Sequence, residues 1–345
     1  MRPVAAPARS RRRLAGGAHR RHARPVRRGR ARALDRVQAS RYWRTSAYTS
    51  AAMNATAGLD PAAARLQARR RARAHAPHFL QQAVERGLLE RLDPVRIAPG
   101  RVLLAEAARS GALLALAQRF VGAELIATDD DPAALAALAA RVAPARSGLL
   151  ARLGIVRGRP LANFLVAEPA RLPFPSGSVD LVWSVLNLHA VPEPDPQMAE
   201  WRRVLAPGGL AAFACLGVDT LAELRTLGAR IQRFPDMHDL GDALVRQGFA
   251  EPVVDTERLS ITWRDGSTLL DEVRQWGGNA LADRFRGLLT PRHRQEWLRA
   301  VEGLRGPDGL IRVSVELIYG HAWCPPERRL PDGLAPIRVI PRGGR

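Results

Sequence analysis

Residues 172–216 read LPFPSGSVDLVWSVLNLHAVPEPDPQMAEWRRVLAPGGLAAFACL, and they carry the clearest structural signal in the chain. The apolar run at 179–184 follows a turn-forming Ser-Gly-Ser, which predicts a short strand covered on both faces. Apolar residues then recur at helical spacing and give one helix a single buried stripe. Pro-Gly-Gly at 207–209 is expected to end this helix, and residues 210–216 predict the next buried strand. The stripe consists of Met198, Trp201, Val204 and Leu205.

Strand and helix patterns alternate along the rest of the chain. This alternation predicts an α/β fold with a doubly wound, mostly parallel sheet and right-handed crossovers. Asp60-Pro61 is expected to cap an N-terminal helix, and Asp219-Thr220 is expected to cap another one after residue 216. Further strands are predicted at 101–105, 124–128, 163–167, 252–263 and 311–319, and helices at 60–92, 112–120, 132–142, 219–233, 239–247 and 269–277.

The charge of the chain is unevenly distributed. The 345 residues carry a net charge of +20, from 53 basic and 33 acidic residues. All the basic residues are arginine, and 15 of them lie in residues 1–52 together with a single acid, Asp35. The positive charge therefore belongs mainly to this segment, which removes the main argument for a nucleic-acid-binding body.

The cysteines and the hydropathy argue against a metal-binding protein, a disulfide-stabilised protein and a membrane-spanning protein. Cys215 and Cys324 have neither metal-ligand spacing nor the pattern of a disulfide framework, so no metal site is expected and a reducing cytoplasm fits. No apolar stretch reaches the roughly 18 residues that suggest a transmembrane helix. We therefore expect a cytoplasmic protein without a membrane partner.

Residues 1–52 are rich in arginine and lack the apolar core of a secretory signal. Three interpretations stay open: a mitochondrial-type presequence, a disordered arm that binds nucleic acid or anionic membrane, and an upstream mistranslation with Met53 as the true start. The last is favoured. The remaining chain is expected to comprise an N-terminal helical segment at 53–98, the main domain at 99–325 and a flexible tail at 326–345.

The stretch at 172–216 resembles the fourth strand, the following helix and the fifth strand of class I S-adenosylmethionine-dependent methyltransferases, particularly the type 11 group. The resemblance covers approximately residues 60–325. It implies a seven-stranded, Rossmann-like sheet closed by an antiparallel pair, and it makes residues 99–325 the methyltransferase domain.

A narrower resemblance is to a proteobacterial branch related to the malonyl-acyl-carrier-protein O-methyltransferases of biotin synthesis. Distant relatives of that branch include a mitochondrial complex I assembly factor with the same fold. The block around Asp236-Met237-His238-Asp239 is its most specific part. The similar segments are 79–120, 172–225, 234–254 and the ending VELIYGHAW at 315–323.

The resemblance implies S-adenosylmethionine as cofactor, with acids after the second and third strands. Asp129 follows residues 124–128, where the family's acid accepts hydrogen bonds from both ribose hydroxyls. Asp130 is assigned to the same site or to solvent, whereas Asp131 is expected to cap the next helix. Glu168 matches the adenine-side acid, with a solvated loop carboxylate as the alternative.

Polar residues also follow the fourth strand, at the edge where open α/β sheets place ligands. The resemblance implies that Ser184 lies beside the cofactor and that Asn187 and His189 occupy catalytic positions. Ala190 stands where the family has an aromatic residue.

The loop after the first strand departs from the family's pattern of an acid followed by Gly-x-Gly-x-Gly. Each added Cβ takes room from the cofactor and makes positive φ costly. The carboxylate at the first glycine position would also approach the cofactor's own carboxylate. The expected cofactor loop therefore binds weakly or not at all. In this loop Leu104 replaces the acid, Glu106, Ala108 and Ser110 replace the glycines, and Gly111 lies one residue late.

The leading hypothesis is a methyltransferase that O-methylates a malonyl-thioester-type carboxylate, small or carrier-protein-bound, in biotin synthesis. A carboxylate acceptor needs no general base, so positioning and water exclusion dominate. The degenerate loop favours a second hypothesis, a non-catalytic binding or assembly factor with the same fold. Nucleic-acid binding through residues 1–52 is the weakest hypothesis, and the oligomeric state is left open.

Overall fold

A seven-stranded sheet forms the centre of the protein. The computed structural model describes residues 58–72, 79–143, 161–276, 280–285, 287 and 290–326. The strands are ordered β3-β2-β1-β4-β5-β7-β6. Strands β1 to β5 pair in parallel, and β7 pairs antiparallel with β5 and β6, so the predicted sheet is confirmed. The strands are β1 (Arg101–Ala105), β2 (Glu124–Asp129), β3 (Asn163–Val166), β4 (Val179–Val185), β5 (Leu205–Leu216), β6 (Ala250–Trp263) and β7 (Ile311–Trp323).

Helices cover both faces of this sheet, as buried parallel strands require. None of the helices in the described ranges has the length and apolar character needed to cross a membrane. The helices are α1 (Pro61–Ala72), α2 (Phe79–Arg91), α3 (Leu113–Arg119), α4 (Pro132–Val142), α5 (Asp195–Val204), α6 (Ala222–Thr226), α7 (Met237–Arg246), α8 (Gly266–Gln275) and α9 (Pro291–Glu302), with 3₁₀ turns at Ala107–Arg109 and Leu188–Ala190.

The apolar stripe of α5 packs as its spacing predicts, with Met198, Trp201 and Val204 fully buried. The end of this helix was predicted wrongly, however. α5 stops at Val204, and Leu205 already pairs with Val179 as the first residue of β5. Pro-Gly-Gly lies inside β5, at a register shift, because strand pairing replaces the expected helical turn.

A side chain caps α1, and α2 packs against the sheet. The Asp60 carboxylate accepts the N–H groups of Ala62 and Ala63, which confirms the predicted cap of α1. α2 approaches β7 closely, since a Cβ at Gly87 would lie 2.5 Å from the Tyr319 hydroxyl. Residues 73–78 fall outside the described ranges, so the predicted single helix at 60–92 is observed as α1 and α2.

The predicted helix at 219–233 is wrong. Only α6 forms, and its N-cap is Leu221 in the left-handed region, at φ +60°. The Thr220 hydroxyl donates to the Glu316 carbonyl and so belongs to the contact with β7, not to a helix cap. Gly228, at φ +91°, prevents continuation. α9 was not predicted.

Other expectations concern residues that the structure does not describe. The three interpretations of residues 1–52 lie outside the described ranges, and so does the tail, apart from its first residue, Pro326. The proposed boundaries at 53–98 and 99–325 stay predictions.

Candidate functional site

The carboxyl ends of β1, β2 and β4 meet at one edge of the sheet. Ala105, the last residue of β1, pairs with Ser184 near the end of β4. Glu106 (φ +53°) and Leu186 (φ +57°) have left-handed backbone directly after β1 and β4, and Leu221 (φ +60°) has it five residues beyond β5. A fourth such residue among the described ones, Glu251 (φ +49°), lies in β6. Such backbone is costly for side chains this large and is typical of functional sites. The strain at this edge therefore marks it as the candidate site.

Glu106 makes a sharp turn directly after β1, at the position where the resemblance predicts the family's first glycine. Its φ and ψ of 53° and 51° are glycine-like, so the turn is kept despite the substitution. The Gln197 side-chain amide, on α5, donates to Glu106 Oε2 at 2.6 Å. This bond holds the Glu106 carboxylate against α5.

Ala108 and Ser110 lie in ordinary backbone regions, since neither is among the residues with positive φ. Ala108 is buried against Ala134 of α4, so its methyl group fills a helix contact. Its N–H donates to Asp129 Oδ2 at 3.0 Å. The Ser110 hydroxyl accepts the Ala112 N–H at 3.1 Å. Both side chains thus make contacts within the protein, which largely removes the expected crowding of the cofactor.

Asp129 is the last residue of β2 and is only 6% exposed. Besides Ala108, its carboxylate accepts the Asp131 N–H at 3.0 Å. Burial raises the pKa of Asp129, and the neighbouring Asp130 and Asp131 add to the increase. Burial also raises the pKa of half-buried Asp130, against which the charge of Arg69 acts. Asp131 caps α4 as predicted.

Glu168 lies close enough to Asp130 for its charge to add to the raised pKa of Asp130. It lies two residues beyond β3, is exposed, and forms an isolated bridge with Arg171. No hydrogen bond or ion pair between described residues joins Glu168 to the ends of β1 and β4, and its adenine-side role stays a prediction.

Ser184 and Asn187 lie together at the end of β4. Ser184 is buried, whereas Asn187 is half-buried. The Asn187 amide donates to Ser184 Oγ and to the Ala105 carbonyl, each at 3.4 Å. These long bonds bring the ends of β1 and β4 together.

His189 is 4% exposed and is held from three directions. The Leu216 N–H donates to its Nδ1 at 3.4 Å, so a neutral ring carries its proton on Nε2. The Gln232 amide donates to the His189 carbonyl at 2.7 Å, and the Phe234 ring meets the imidazole edge-on at 5.6 Å. The ring is therefore fixed in orientation.

A cavity of about 190 Å³ lies beside His189. Its lining is mainly apolar and includes Phe234 and Trp276, but two arginines also contribute. Arg230 is paired with Asp283, and Arg274 donates to Asp271 at 2.9 Å. The cavity thus combines an apolar body with guanidinium groups, a combination suited to an acyl group that ends in an anion.

Glu85 is a site residue that the sequence analysis missed. It projects from α2 and is buried to 4% exposure. Its carboxylate accepts the Gly111 N–H at 3.0 Å and the Gln81 amide at 2.9 Å. Burial raises its pKa. Glu85 and Gln81 lie one helical turn apart, beside the apolar face of α2, which is the sequence signal that could have pointed to them.

The residues present fit an S-adenosylmethionine cradle with one strained position. The turn after β1 is kept, the Ala108 methyl group is taken up by Ala134, and an acid stands at the end of β2. Glu106 is the exception, because it combines positive φ with a carboxylate. Of the three residues that replace the expected glycines, only Glu106 therefore has positive φ.

Comparison with known proteins finds a matching domain in this chain and similar proteins in other organisms. A family profile described as "Methyltransferase domain" matches residues 107–213. A malonyl-[acyl-carrier protein] O-methyltransferase from Laribacter hongkongensis (strain HLHK9) is 40% identical over 275 residues, which cover 76% of this chain and 89% of the relative. The protein of that name from Methylovorus sp. (strain MP688) is 38% identical over 272 residues, with coverage of 76% and 89%.

A solved structure is also similar to this chain. It is a protein from Bacillus halodurans C-125, assigned as a methyltransferase, with 15% identity, a TM-score of 0.48, and coverage of 70% of this chain and 99% of that chain. The two relatives, 40% and 38% identical over 76% of this chain, show the family. The chain belongs to the family of the malonyl-[acyl-carrier protein] O-methyltransferases and is an S-adenosylmethionine-dependent methyltransferase.

Proposed function

We propose that this methyltransferase O-methylates the free carboxylate of a malonyl thioester in biotin synthesis, on a carrier protein or on a small thiol. The cavity beside His189 is the observation that carries this proposal. Two arginines, Arg230 and Arg274, line this cavity. Each guanidinium has five N–H donors, and a single carboxylate partner does not use all of them. A malonyl carboxylate can therefore join these ion pairs while the acyl chain contacts the apolar lining.

S-adenosylmethionine supplies an activated methyl group when it is bound. Asp129 is the residue that would accept the ribose hydroxyls, and the backbone of residues 106–111 would approach the amino acid portion. Glu168 would face the adenine side. Ser184 and Asn187 would lie beside the reacting methyl group, since they join the ends of β1 and β4.

The protein's own contribution is positioning. A carboxylate is already a nucleophile, so no residue has to remove a proton from it. His189, held by Leu216 and Gln232, can donate from Nε2 to a substrate oxygen and keep it oriented. The buried surroundings would exclude water, which otherwise competes with the acceptor for the methyl group.

The test is methyl transfer from labelled S-adenosylmethionine by the full-length chain. Malonyl carrier protein, a small malonyl thioester and the matched acetyl carrier protein would be compared, because the acetyl group lacks a free carboxylate. We expect label on the two malonyl substrates as a base-labile methyl ester and none on the acetyl one. Equal labelling of the acetyl protein, or no labelling of either malonyl substrate, would contradict the proposal.

A second candidate is a non-catalytic binding or assembly factor. The observation that favours it is the Glu106 carboxylate at a position where the family has glycine. This candidate predicts a folded protein with no measurable affinity for S-adenosylmethionine or S-adenosylhomocysteine.

A further inference from the structure

The outward face of α1 is basic. The helix reads PAAARLQARRRA and contains four arginines and no acid. Arg65, Leu66, Arg69 and Arg70 are exposed, and we call these four residues the basic face of α1. Leu66 is 50% exposed, so an apolar side chain stands among the guanidinium groups.

The opposite side of α1 forms part of the cavity wall. Ala63 and Ala64 are buried in a small cluster with Ala280. Ala64 and Gln67 also line the cavity beside His189. The helix is anchored there, because the Asp60 N–H donates to the Ala280 carbonyl at 2.8 Å and Asp60 pairs with Arg284. A partner bound to the basic face would therefore sit beside the substrate cavity.

Many other arginines in the described ranges form ion pairs, unlike those of the basic face. Arg91, Arg119 and Arg246, for example, each pair with a carboxylate. Within the described ranges no ion pair joins Arg65, Arg69 or Arg70 to an acid. Guanidinium groups that form no ion pair within the described ranges, placed around an exposed leucine, suit a protein surface that is both acidic and partly apolar.

We propose that the basic face of α1 is the docking surface for the acidic carrier protein that delivers the malonyl thioester. This inference rests on the proposed function and adds the place where the partner binds. A thioester tethered to a carrier protein must enter the cavity while its carrier stays outside, and α1 separates the two. The phosphate of the carrier's pantetheine arm would also meet arginine at this face.

Charge reversal at Arg65 and Arg70 tests the docking surface. The Arg65→Glu and Arg70→Glu variants, singly and together, would be assayed with malonyl carrier protein and with a small malonyl thioester. Arg69 is left unchanged, because its charge acts on Asp130 of the candidate site. Arg96→Glu is the matched control, since Arg96 is exposed and precedes β1, on the opposite edge of the sheet.

We expect the Arg65→Glu/Arg70→Glu variant to lose about tenfold or more in kcat/KM on the carrier protein, mainly through KM. Its activity on the small thioester should be unchanged, and the salt dependence of the carrier reaction should weaken. Arg96→Glu should match the wild type on both substrates. Leu66→Ser should also impair only the carrier reaction.

Two results would overturn the docking surface while leaving the proposed function in place. One is an equal loss on both malonyl substrates, which would mean a structural role for α1. The other is an unchanged reaction with the carrier protein in the double variant. If the wild type methylates neither malonyl substrate, the proposed function itself fails, which is a distinct outcome.

Discussion

The Gln197 amide donates to Glu106 Oε2 across 2.6 Å and so joins the turn after β1 to α5. Glu106 stands where the family has a glycine, and it keeps the left-handed backbone that a glycine would adopt. Two separate costs are expected: backbone strain of roughly 1–2 kcal/mol, which lowers stability, and a carboxylate near the expected place of the cofactor's own, which weakens binding. Variants at this position can separate them.

Glu106→Gly and Glu106→Ala differ only in the Cβ. Because the alanine variant keeps a side chain at positive φ, we expect the glycine variant to be more stable by about 1 kcal/mol in urea unfolding. Both variants lack the carboxylate, so both should bind S-adenosylhomocysteine about tenfold more tightly than the wild type. Equal stability of the two variants would mean that position 106 is not strained.

Ala108→Gly should not help the cofactor loop. The Ala108 methyl group packs on Ala134, and its backbone is not left-handed. Its removal should lower the free energy of unfolding by about 1 kcal/mol, through lost packing and added backbone freedom. Cofactor affinity, measured by calorimetry, should stay within about threefold of the wild type. A gain in affinity as large as that of Glu106→Gly would mean that Glu106 is not the only loop side chain that weakens cofactor binding.

Asp129 is expected to be the most important side chain for cofactor affinity. Asp129→Asn loses one acceptor oxygen while keeping the shape of the side chain. We expect S-adenosylhomocysteine to bind about 10- to 100-fold more weakly, and Asp130→Asn, the neighbouring control, to show a smaller loss. Calorimetry on variants whose circular dichroism matches the wild type would measure this. Unchanged affinity of Asp129→Asn would exclude the ribose role.

Glu85 should make stability depend on pH. Burial raises its pKa, so the folded state prefers the protonated form. The stability that comes from protonation is present below the ordinary pKa of glutamate and is lost as the pH rises through the raised value. Glu85→Gln should therefore reduce the decline of unfolding free energy with rising pH, as measured by urea unfolding at several pH values.

The matched variant Glu85→Ala leaves the Gly111 N–H without this acceptor. It should be less stable than Glu85→Gln at every pH, by about 1–3 kcal/mol. If the glutamine variant kept the full pH dependence of the wild type, the buried carboxylate would not be its source.

His189 is expected to orient the acceptor and not to act as a base. His189→Gln retains a side-chain donor, so kcat on a malonyl thioester should fall less than about tenfold and the pH–rate profile should keep its shape. A loss of about a thousandfold, together with loss of a limb of the profile, would show proton transfer by this residue.

The sheet could be predicted because its signals are local. Apolar runs bounded by turn residues define β1 and β4, and Asp131-Pro132 marks the start of α4, which ends at Val142 as expected. α9 was missed although Thr290-Pro291 carries the signal of a cap and a first-turn proline. Its sequence is too polar to show a clear apolar stripe.

Site residues could be predicted only where they lie at the end of a strand. Asp129 and Ser184 belong to strand ends, so the pattern of strands places them. Gln197 and Glu85 contact the loop after β1, although they are 91 and 26 positions from their partners in the sequence. Such contacts depend on tertiary packing. The sequence could not show that Glu106 has left-handed backbone whereas Ala108 does not, because a sequence contains no backbone dihedral angles.

Calorimetric titration of S-adenosylhomocysteine into the full-length protein, with Glu106→Gly measured in parallel, tests the central claim most directly. We predict micromolar binding by the wild type, a free energy of about −8 kcal/mol, and tighter binding by the variant. A folded wild-type protein and a folded Glu106→Gly variant that both give no binding heat would contradict cofactor use and leave a non-catalytic role.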